Sequence, residues 1–174
     1  MIFYPVIFIA ISLSSNAQTV ISACVNITAP GNYILSNDVN SSGTCIMIQS
    51  SNVTLDCQGN TVIYAQNQQG NGIVVSNSNN TFIENCRVAK ANATINSFGG
   101  IYLSLSHNST IINNNISDSA YNGALGISLF SSPNSAIVNN NISSTLGSGF
   151  FSIGSLCIKI LLSPNSTINN NMVY

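Results

Sequence analysis

The segment GIYLSLSHNSTIINNNI, residues 100–116, is one of five similar segments along this chain. Copies without gaps begin at Gly72, Gly126 and Cys157, and a more divergent copy begins at Cys45. The five starts lie 26 to 31 residues apart, with variable residues between the units. Self-similarity at a period of this length is the sequence signature of a repeat architecture.

Each unit begins with apolar residues at alternate positions, as at Ile101 and Leu103. This period of two predicts a strand with one face toward a core. Later apolar positions, such as Ile111 and Ile116, predict two further short strands, and the intervening Ser and Asn residues are typical of turns. Three short strands per unit predict one coil of an all-β parallel β-helix with about five coils.

Two other folds contain short strands or short repeats, but neither accounts for this pattern. A leucine-rich repeat needs a Leu-dominated pattern and usually a helix, neither of which the units contain. A β-sandwich does not predict identical columns at a coil-length period. The glycine that begins three of the units suits a bend where the backbone needs freedom or close approach.

Paired polar residues follow the second predicted strand in four of the units. If coils stack about 4.8 Å apart, each side-chain amide can donate to one neighbour and accept from the other. Such a ladder satisfies polar groups that burial would otherwise leave unpaired. The predicted ladder comprises Asn85, Cys86, Asn113, Asn114, Asn139, Asn140, Asn170 and Asn171.

The pattern GIxVxxSxNxxIxNNxI resembles the right-handed parallel β-helix repeat of the pectate-lyase-like superfamily. It is most similar to the NosD-like and carbohydrate-binding and sugar-hydrolase group of secreted proteins. The resemblance extends over about residues 25–173, and NVTLDCQGN at 52–60 looks like part of a first coil. It implies a right-handed helix that places substrate on the outer face of the first strands, where related lyases use carboxylate-bound calcium and a basic residue.

Charge is nearly absent from this chain, because only 4% of its residues are charged, against about 25% in an ordinary soluble domain. Three basic residues cannot form a stripe for phosphates or a polybasic membrane contact, which excludes nucleic-acid binding by charge. One His and no CxxC spacing argue against a zinc site, and three Met do not support copper binding.

The N-terminal region differs from the repeats. An apolar run from Ile2 to Leu13, followed by Ser15 and Ala17, predicts a signal peptide at residues 1–17 rather than an uncleaved anchor. Residues 18–44 form a predicted N-terminal cap segment, and residues 45–174 hold the repeats. We expect a secreted or cell-surface protein with no membrane span in the mature chain.

The last unit ends as its third strand begins, without a polar capping segment. Because an open terminal coil exposes unpaired backbone groups, solenoids need caps. We therefore expect the repeats to be truncated at the C-terminus. Either the rest of a longer chain or another subunit would then cover this end.

All five cysteines follow the predicted cleavage site, in agreement with export to an oxidising compartment. Cys57 and Cys86 lie about one coil apart, so we expect them to bridge neighbouring coils. Cys24 and Cys45 could close the N-terminal segment, which leaves Cys157 free. Of nine Asn-x-Ser/Thr sequons, Asn40 and Asn92 lie in predicted connections and are the expected glycosylation sites.

Candidate binding residues lie at outward positions of the first strands. Tyr102 and Phe130, on neighbouring coils, could offer a surface to a sugar ring, and Lys159 could contact a uronate. The alternative is that the two aromatic rings pack against the following connection. These are the residues through which the sequence predicts polysaccharide or surface-glycan binding.

Acidic residues are too sparse to predict a catalytic site. Asp56 and Glu84 occupy equivalent columns of consecutive coils, either as solvated turn carboxylates or as a weak calcium site completed by backbone carbonyls. His107 has no acid partner in its unit, so no catalytic residue and no cofactor besides this calcium are expected. The sequence favours a structural or glycan-binding module, the alternative being a fragment or divergent member of the polysaccharide lyases and hydrolases that act on uronate polymers.

Overall fold

The computed structural model describes residues 17–92, 94, 97, 99–120, 125–146 and 156–174, so the predicted signal peptide lies outside the described residues except for Ala17. Every strand pairing in the described chain is parallel. The strands are β1 (Gln18–Ile21), β2 (Val25–Ile27), β3 (Gly31–Leu35), β4 (Val39–Asn40), β5 (Ile46–Ile48), β6 (Val53–Asp56), β7 (Thr61–Tyr64), β8 (Ile73–Ser76), β9 (Phe82–Glu84), β10 (Arg87–Lys90), β11 (Ile101–Ser104), β12 (Thr110–Ile112), β13 (Asn115–Ala120), β14 (Leu125–Phe130), β15 (Ala136–Val138), β16 (Asn141–Leu146), β17 (Leu156–Leu161), β18 (Thr167–Asn169) and β19 (Met172–Val173).

The strands form three sheets that run along the solenoid. The first-strand sheet has the order β2-β5-β8-β11-β14-β17, and the second-strand sheet has the order β1-β3-β6-β9-β12-β15-β18. The third-strand sheet has the order β4-β7-β10-β13-β16-β19. Every coil contributes one strand to each sheet, which confirms the predicted all-β parallel β-helix.

The described chain contains six coils, one more than the five repeat copies predict. Residues 18–44, predicted as a cap segment, include a complete coil made of β2, β3 and β4. Strand β1 lies beyond this coil and pairs with β3. The additional coil escaped sequence alignment because its residues match the repeat in the alternation of apolar positions but not in the Gly, Ser and Asn columns.

The core is a set of aliphatic columns, one from each sheet. Ile101 in the first-strand sheet, Ile111 in the second and Ile116 in the third are at most 1% exposed. Register pairs each with an aliphatic residue on the next coil, namely Ile127, Ile137 and Ile142. The period-two pattern therefore places the same face of every strand inward, as predicted.

The glycine at the start of the first strand is required by close packing. A Cβ atom at Gly100 would lie 2.6 Å from Cγ2 of Ile116, inside the core. Such a separation is too short for two carbon atoms, so any larger side chain must displace its neighbour. Glycine at this column lets the first strand approach the third strand of the same coil.

Polar side chains fill one inward column at the turn after the second-strand sheet. Asn114 donates through Nδ2 to Oδ1 of Asn140 at 3.0 Å, and Asn140 donates in the same way to Asn171 at 3.0 Å. The column continues toward the N-terminus into the Cys57–Cys86 disulfide. Cys86 N also donates to Oδ1 of Asn114 at 2.9 Å, which joins the disulfide to the amide row.

The other Asn of each pair has a different role from the one expected. Asn85, Asn113, Asn139 and Asn170 have φ between 51° and 56°, the left-handed conformation in which Asn is enriched. Their side chains are half-buried or exposed, so each turns the chain rather than joining the inward amide row. The Cys24–Cys45 disulfide is also present, as the sequence predicts, and Cys157 is the free cysteine.

Candidate functional site

The three predicted binding residues line one surface depression on the outer face of the first-strand sheet. Its volume is about 190 Å³. The lining consists of Tyr102, Leu125, Ser128, Leu129, Phe130, Lys159 and Leu161. The depression therefore crosses the last three coils of the described chain.

Parallel register explains why these residues meet. Tyr102, Ser128 and Lys159 form one outward column, because Tyr102 pairs with Ser128 and Ser128 pairs with Lys159. Phe130 pairs with Leu161 in the next outward column. Ser128, the smallest side chain of its column, is 5% exposed and lies between Tyr102 and Lys159.

Exposed leucines extend the apolar surface at the turn that follows the sheet. Leu105 and Leu162 are 48% and 67% exposed, and both have a φ of 53°. The same turn position holds Asn77 and Ser131, also with positive φ. A leucine in the left-handed region is uncommon and carries a conformational cost, so this exposed apolar surface is held against local preference.

The depression offers one cation and no carboxylate. Lys159 is exposed at its edge, and no acidic residue belongs to the lining among the described residues. Its apolar wall with one positive group can hold a ring next to an anionic substituent. It does not carry the pair of carboxyl groups that glycoside hydrolysis needs.

Asp56 and Glu84, the predicted calcium residues, lie elsewhere. They are register partners on β6 and β9 of the second-strand sheet. Oδ1 of Asp56 accepts from Gln58 N at 2.8 Å and from Asn85 Nδ2 at 3.1 Å. Partial burial, followed by the nearby Asp56 carboxylate, raises the pKa of Glu84. No group of three His, Cys, Asp or Glu suited to a metal occurs in the part of the chain that is described, and the calcium site stays a prediction.

A buried ion pair is the feature that sequence reasoning missed. Lys90 Nζ lies 3.6 Å from Oδ1 of Asp118, and both side chains are fully buried. Ser97 connects them, because its hydroxyl accepts from Lys90 Nζ at 3.2 Å and donates to Oδ2 of Asp118 at 3.3 Å. The signal was available: Lys90 and Asp118 each lie two residues after an inward residue, Val88 and Ile116, so the alternation places both inside.

Burial dominates the titration of this cluster. It lowers the pKa of Lys90 and raises that of Asp118, while the opposite charge of each partner acts against the shift. Tyr64 pairs with Lys90 on the neighbouring strand, and burial, with the Asp118 charge second, raises the pKa of its hydroxyl. Tyr64 Oη and Asp118 Oδ1 have no hydrogen-bond partner among the described residues.

The two predicted glycosylation sites differ in their surroundings. Asn40 is exposed at the end of β4. Asn92 is half-buried, and its Oδ1 accepts from Thr94 N at 3.0 Å and from Thr94 Oγ1 at 2.7 Å. Modification at either residue stays a prediction. His107, expected to be inert, is exposed.

The architecture is that of a parallel β-solenoid with a small depression on the outer face of one sheet. The chain belongs to the right-handed β-helix region family, whose match covers residues 21–174. No curated protein and no solved structure matches the chain. The two disulfides are typical of proteins from oxidising compartments, and no helix in the described part of the chain is long and apolar enough to cross a membrane.

Proposed function

We propose that this protein is a secreted or cell-surface β-helix module that binds glycans, without catalysis, through the depression around Tyr102, Phe130 and Lys159. The observation that carries the proposal is the convergence of these three side chains on one depression. They come from three different coils and meet only because the coils are in register.

The chemistry of the lining suits a carbohydrate with an acidic group. Tyr102 and Phe130 provide aromatic surface, and Tyr102 adds a polar tip beside an apolar body. Lys159 is the basic residue of the lining, and among the described residues no carboxylate lies there, which leaves its charge for a ligand. A volume of about 190 Å³ is below the roughly 300 Å³ at which drug-sized pockets begin, so we expect the depression to hold one sugar unit of a longer chain.

A second partner is proposed for the outer edge of β17, β18 and β19. Ile168 and Val173 continue the columns of Ile137 and Ile142. Ile137 and Ile142 are fully buried, whereas Ile168 and Val173 are 53% and 52% exposed. Their exposure supports the proposal that a further β-stranded segment stacks on this edge and covers these columns. Such stacking would leave the outward depression accessible, because it uses the core face and the strand edges.

The binding test compares one ligand with its uncharged form. The full chain, secreted through an oxidising compartment, is titrated by calorimetry with tetragalacturonic acid and with its methyl ester. We expect the acid to bind at least about tenfold more tightly, because the ester removes the charge that Lys159 contacts. Affinity for the acid should fall about tenfold in Tyr102→Ala and in Lys159→Met.

Matched controls lie on the other sheets. Phe82→Ala removes an outward aromatic ring from the second-strand sheet, and Arg87→Met removes an exposed cation from the third-strand sheet. Both should bind tetragalacturonic acid as the wild type does. Equal loss in these controls, or no binding of either ligand, would overturn the proposal.

The alternative is a divergent polysaccharide lyase or hydrolase. Asp56 and Glu84 are neighbours on consecutive coils, but they belong to a different sheet from the depression. The same samples are assayed with polygalacturonate for reducing ends and for unsaturated products, with and without calcium. Turnover that is lost in Asp56→Asn would establish the enzyme and refute the non-catalytic role.

A further inference from the structure

Leu125 connects the outward depression to the buried ion pair. It is the first residue of β14 and part of the depression's lining. Its backbone N–H donates to Oδ2 of Asp118 at 3.0 Å, and its carbonyl accepts from Gly100 N at 3.0 Å. The side chain of Asp118 therefore holds the point at which the chain re-enters the first-strand sheet.

A buried ion pair is weak evidence for a stabilising role, so the two charges inside this solenoid call for another explanation. The chain has seven charged residues in all, and Lys90 and Asp118 are fully buried. Buried ion pairs often contribute no more to stability than well-packed apolar residues of similar size. Tyr64, at the equivalent inward position one coil earlier, shows that this column accepts a side chain without formal charge.

The remaining contacts orient the carboxylate. Ser97 donates to the same Oδ2 that accepts from Leu125, and it accepts from Lys90. The ammonium group of Lys90 lies 3.6 Å from the other carboxylate oxygen of Asp118, Oδ1. Asp118 is thus held from two directions, and the bond from Leu125 is its one hydrogen bond with the first-strand sheet among the described residues.

We propose that the Lys90–Asp118 pair is a positioning device for the depression, in which Asp118 anchors Leu125 and thereby sets the start of the strand that carries Ser128 and Phe130. The functional part of this inference rests on the proposed glycan site. The anchoring part does not, because it concerns the Leu125 amide alone.

The test uses three double variants that all lack both charges. Lys90→Met with Asp118→Asn keeps a carbonyl oxygen that can accept from Leu125. Lys90→Met with Asp118→Leu, and Lys90→Met with Asp118→Ala, remove this acceptor and differ in side-chain volume. Because all three variants lack both charges, differences among them report the loss of the hydrogen-bond acceptor and not the loss of charge. The Ala variant remains usable if the Leu variant does not fold.

Two readouts are measured on each variant: hydrogen exchange of the Leu125 amide by NMR and the affinity for tetragalacturonic acid. We expect Leu125 exchange to be about tenfold faster or more without the acceptor, and within about threefold of wild type in the Asn variant. The Leu103 amide, in the neighbouring strand β11, should exchange as in the wild type and so reports that the fold is intact. Affinity should fall about tenfold without the acceptor and recover in the Asn variant.

Each outcome bears on one part of the inference. Leu125 exchange that is the same in all three variants would overturn the anchor. Faster Leu125 exchange with unchanged affinity would overturn its role in the depression. If the wild type does not bind tetragalacturonic acid, the proposed function fails, and the exchange rates still determine whether Asp118 anchors Leu125.

Discussion

Oδ1 of Asn140 accepts two hydrogen bonds from Asn114, one from its side-chain amide at 3.0 Å and one from its backbone N–H at 2.9 Å. Asn140 also donates to the carbonyl of Ile111 at 2.9 Å. With its bonds to the Val138 carbonyl at 3.1 Å and to Oδ1 of Asn171 at 3.0 Å, this side chain satisfies five polar groups and joins three coils. Such satisfaction is what allows a polar column to lie beside an aliphatic core.

Loss of this side chain should destabilise the fold strongly. Asn140→Ala leaves the Asn114 donors and the Ile111 carbonyl without this partner. Each buried group that stays unsatisfied should lower the free energy of unfolding by about 1–3 kcal/mol. Urea unfolding should show the loss as a lower midpoint. Asn139→Gly is the matched control, because Asn139 is exposed with a φ of 54° that glycine adopts readily. A midpoint equal to that of the control would contradict the ladder's role.

The Cys57–Cys86 disulfide can be replaced partly by extension of the amide ladder. Removing a bridge that closes 29 residues should lower the free energy of unfolding by about 2–4 kcal/mol. Cys86 occupies the ladder column, so Cys57→Ala with Cys86→Asn places an amide next to Asn114. This variant should be about 1 kcal/mol more stable than Cys57→Ala with Cys86→Ala. Equal thermal midpoints of the two double variants would show that an amide at position 86 does not replace any of the stability that the disulfide provides.

Partial burial of Glu84, with the nearby Asp56 carboxylate as the second cause, should make stability depend on pH. The folded-state pKa of Glu84 lies above its ordinary 4.5, so the folded state binds more protons in the window between the two values. Stability should therefore fall as pH rises from about 4.5 through the folded-state pKa. Glu84→Gln removes this loss, and its advantage over the wild type should be absent below pH 4 and present at pH 7. In an Asp56→Asn background the advantage should shrink, and thermal midpoints across pH 3.5 to 7.5 measure both effects.

Close packing at the glycine column predicts a steric effect. Gly100→Ala brings a Cβ to 2.6 Å from Cγ2 of Ile116, which should destabilise the protein by about 1–3 kcal/mol. In an Ile116→Ala background that Cγ2 is gone, so the same substitution should cost less. A double-mutant cycle from urea unfolding measures this coupling. Additive effects would show that the strain at Gly100 comes from elsewhere.

Much of the fold could be predicted because parallel coils in register repeat the same environment. Ile101 and Ile127 had to share a column once both sequences were aligned, and the same logic paired Tyr102 with Ser128 and Ser128 with Lys159. Residues 18–44 were harder, because their coil keeps the apolar alternation without the Gly, Ser and Asn columns.

The sequence placed three lining residues of the depression on one face, but it did not predict the shape of the depression. Tyr102, Phe130 and Lys159 were assigned to one outward face, whereas the shape of the depression depends on the relative sizes of packed side chains. In each Asn pair, the choice of inward residue depends on which one takes a positive φ at the turn, as Asn113 does beside Asn114. Backbone conformation of this kind is decided by the geometry of the whole coil.

By itself, the sequence determined that the chain coils, how many residues a coil needs and which positions share a column, because these follow from periodicity. Only the tertiary structure decided that Lys90 and Asp118 meet inside the solenoid and that Asp118 reaches Leu125. The contact with Leu125 crosses from the third-strand sheet to the start of the next first strand, through connections whose sequences do not repeat. Periodicity specifies contacts between equal positions of the repeat, whereas contacts across unequal positions depend on how the connections fold.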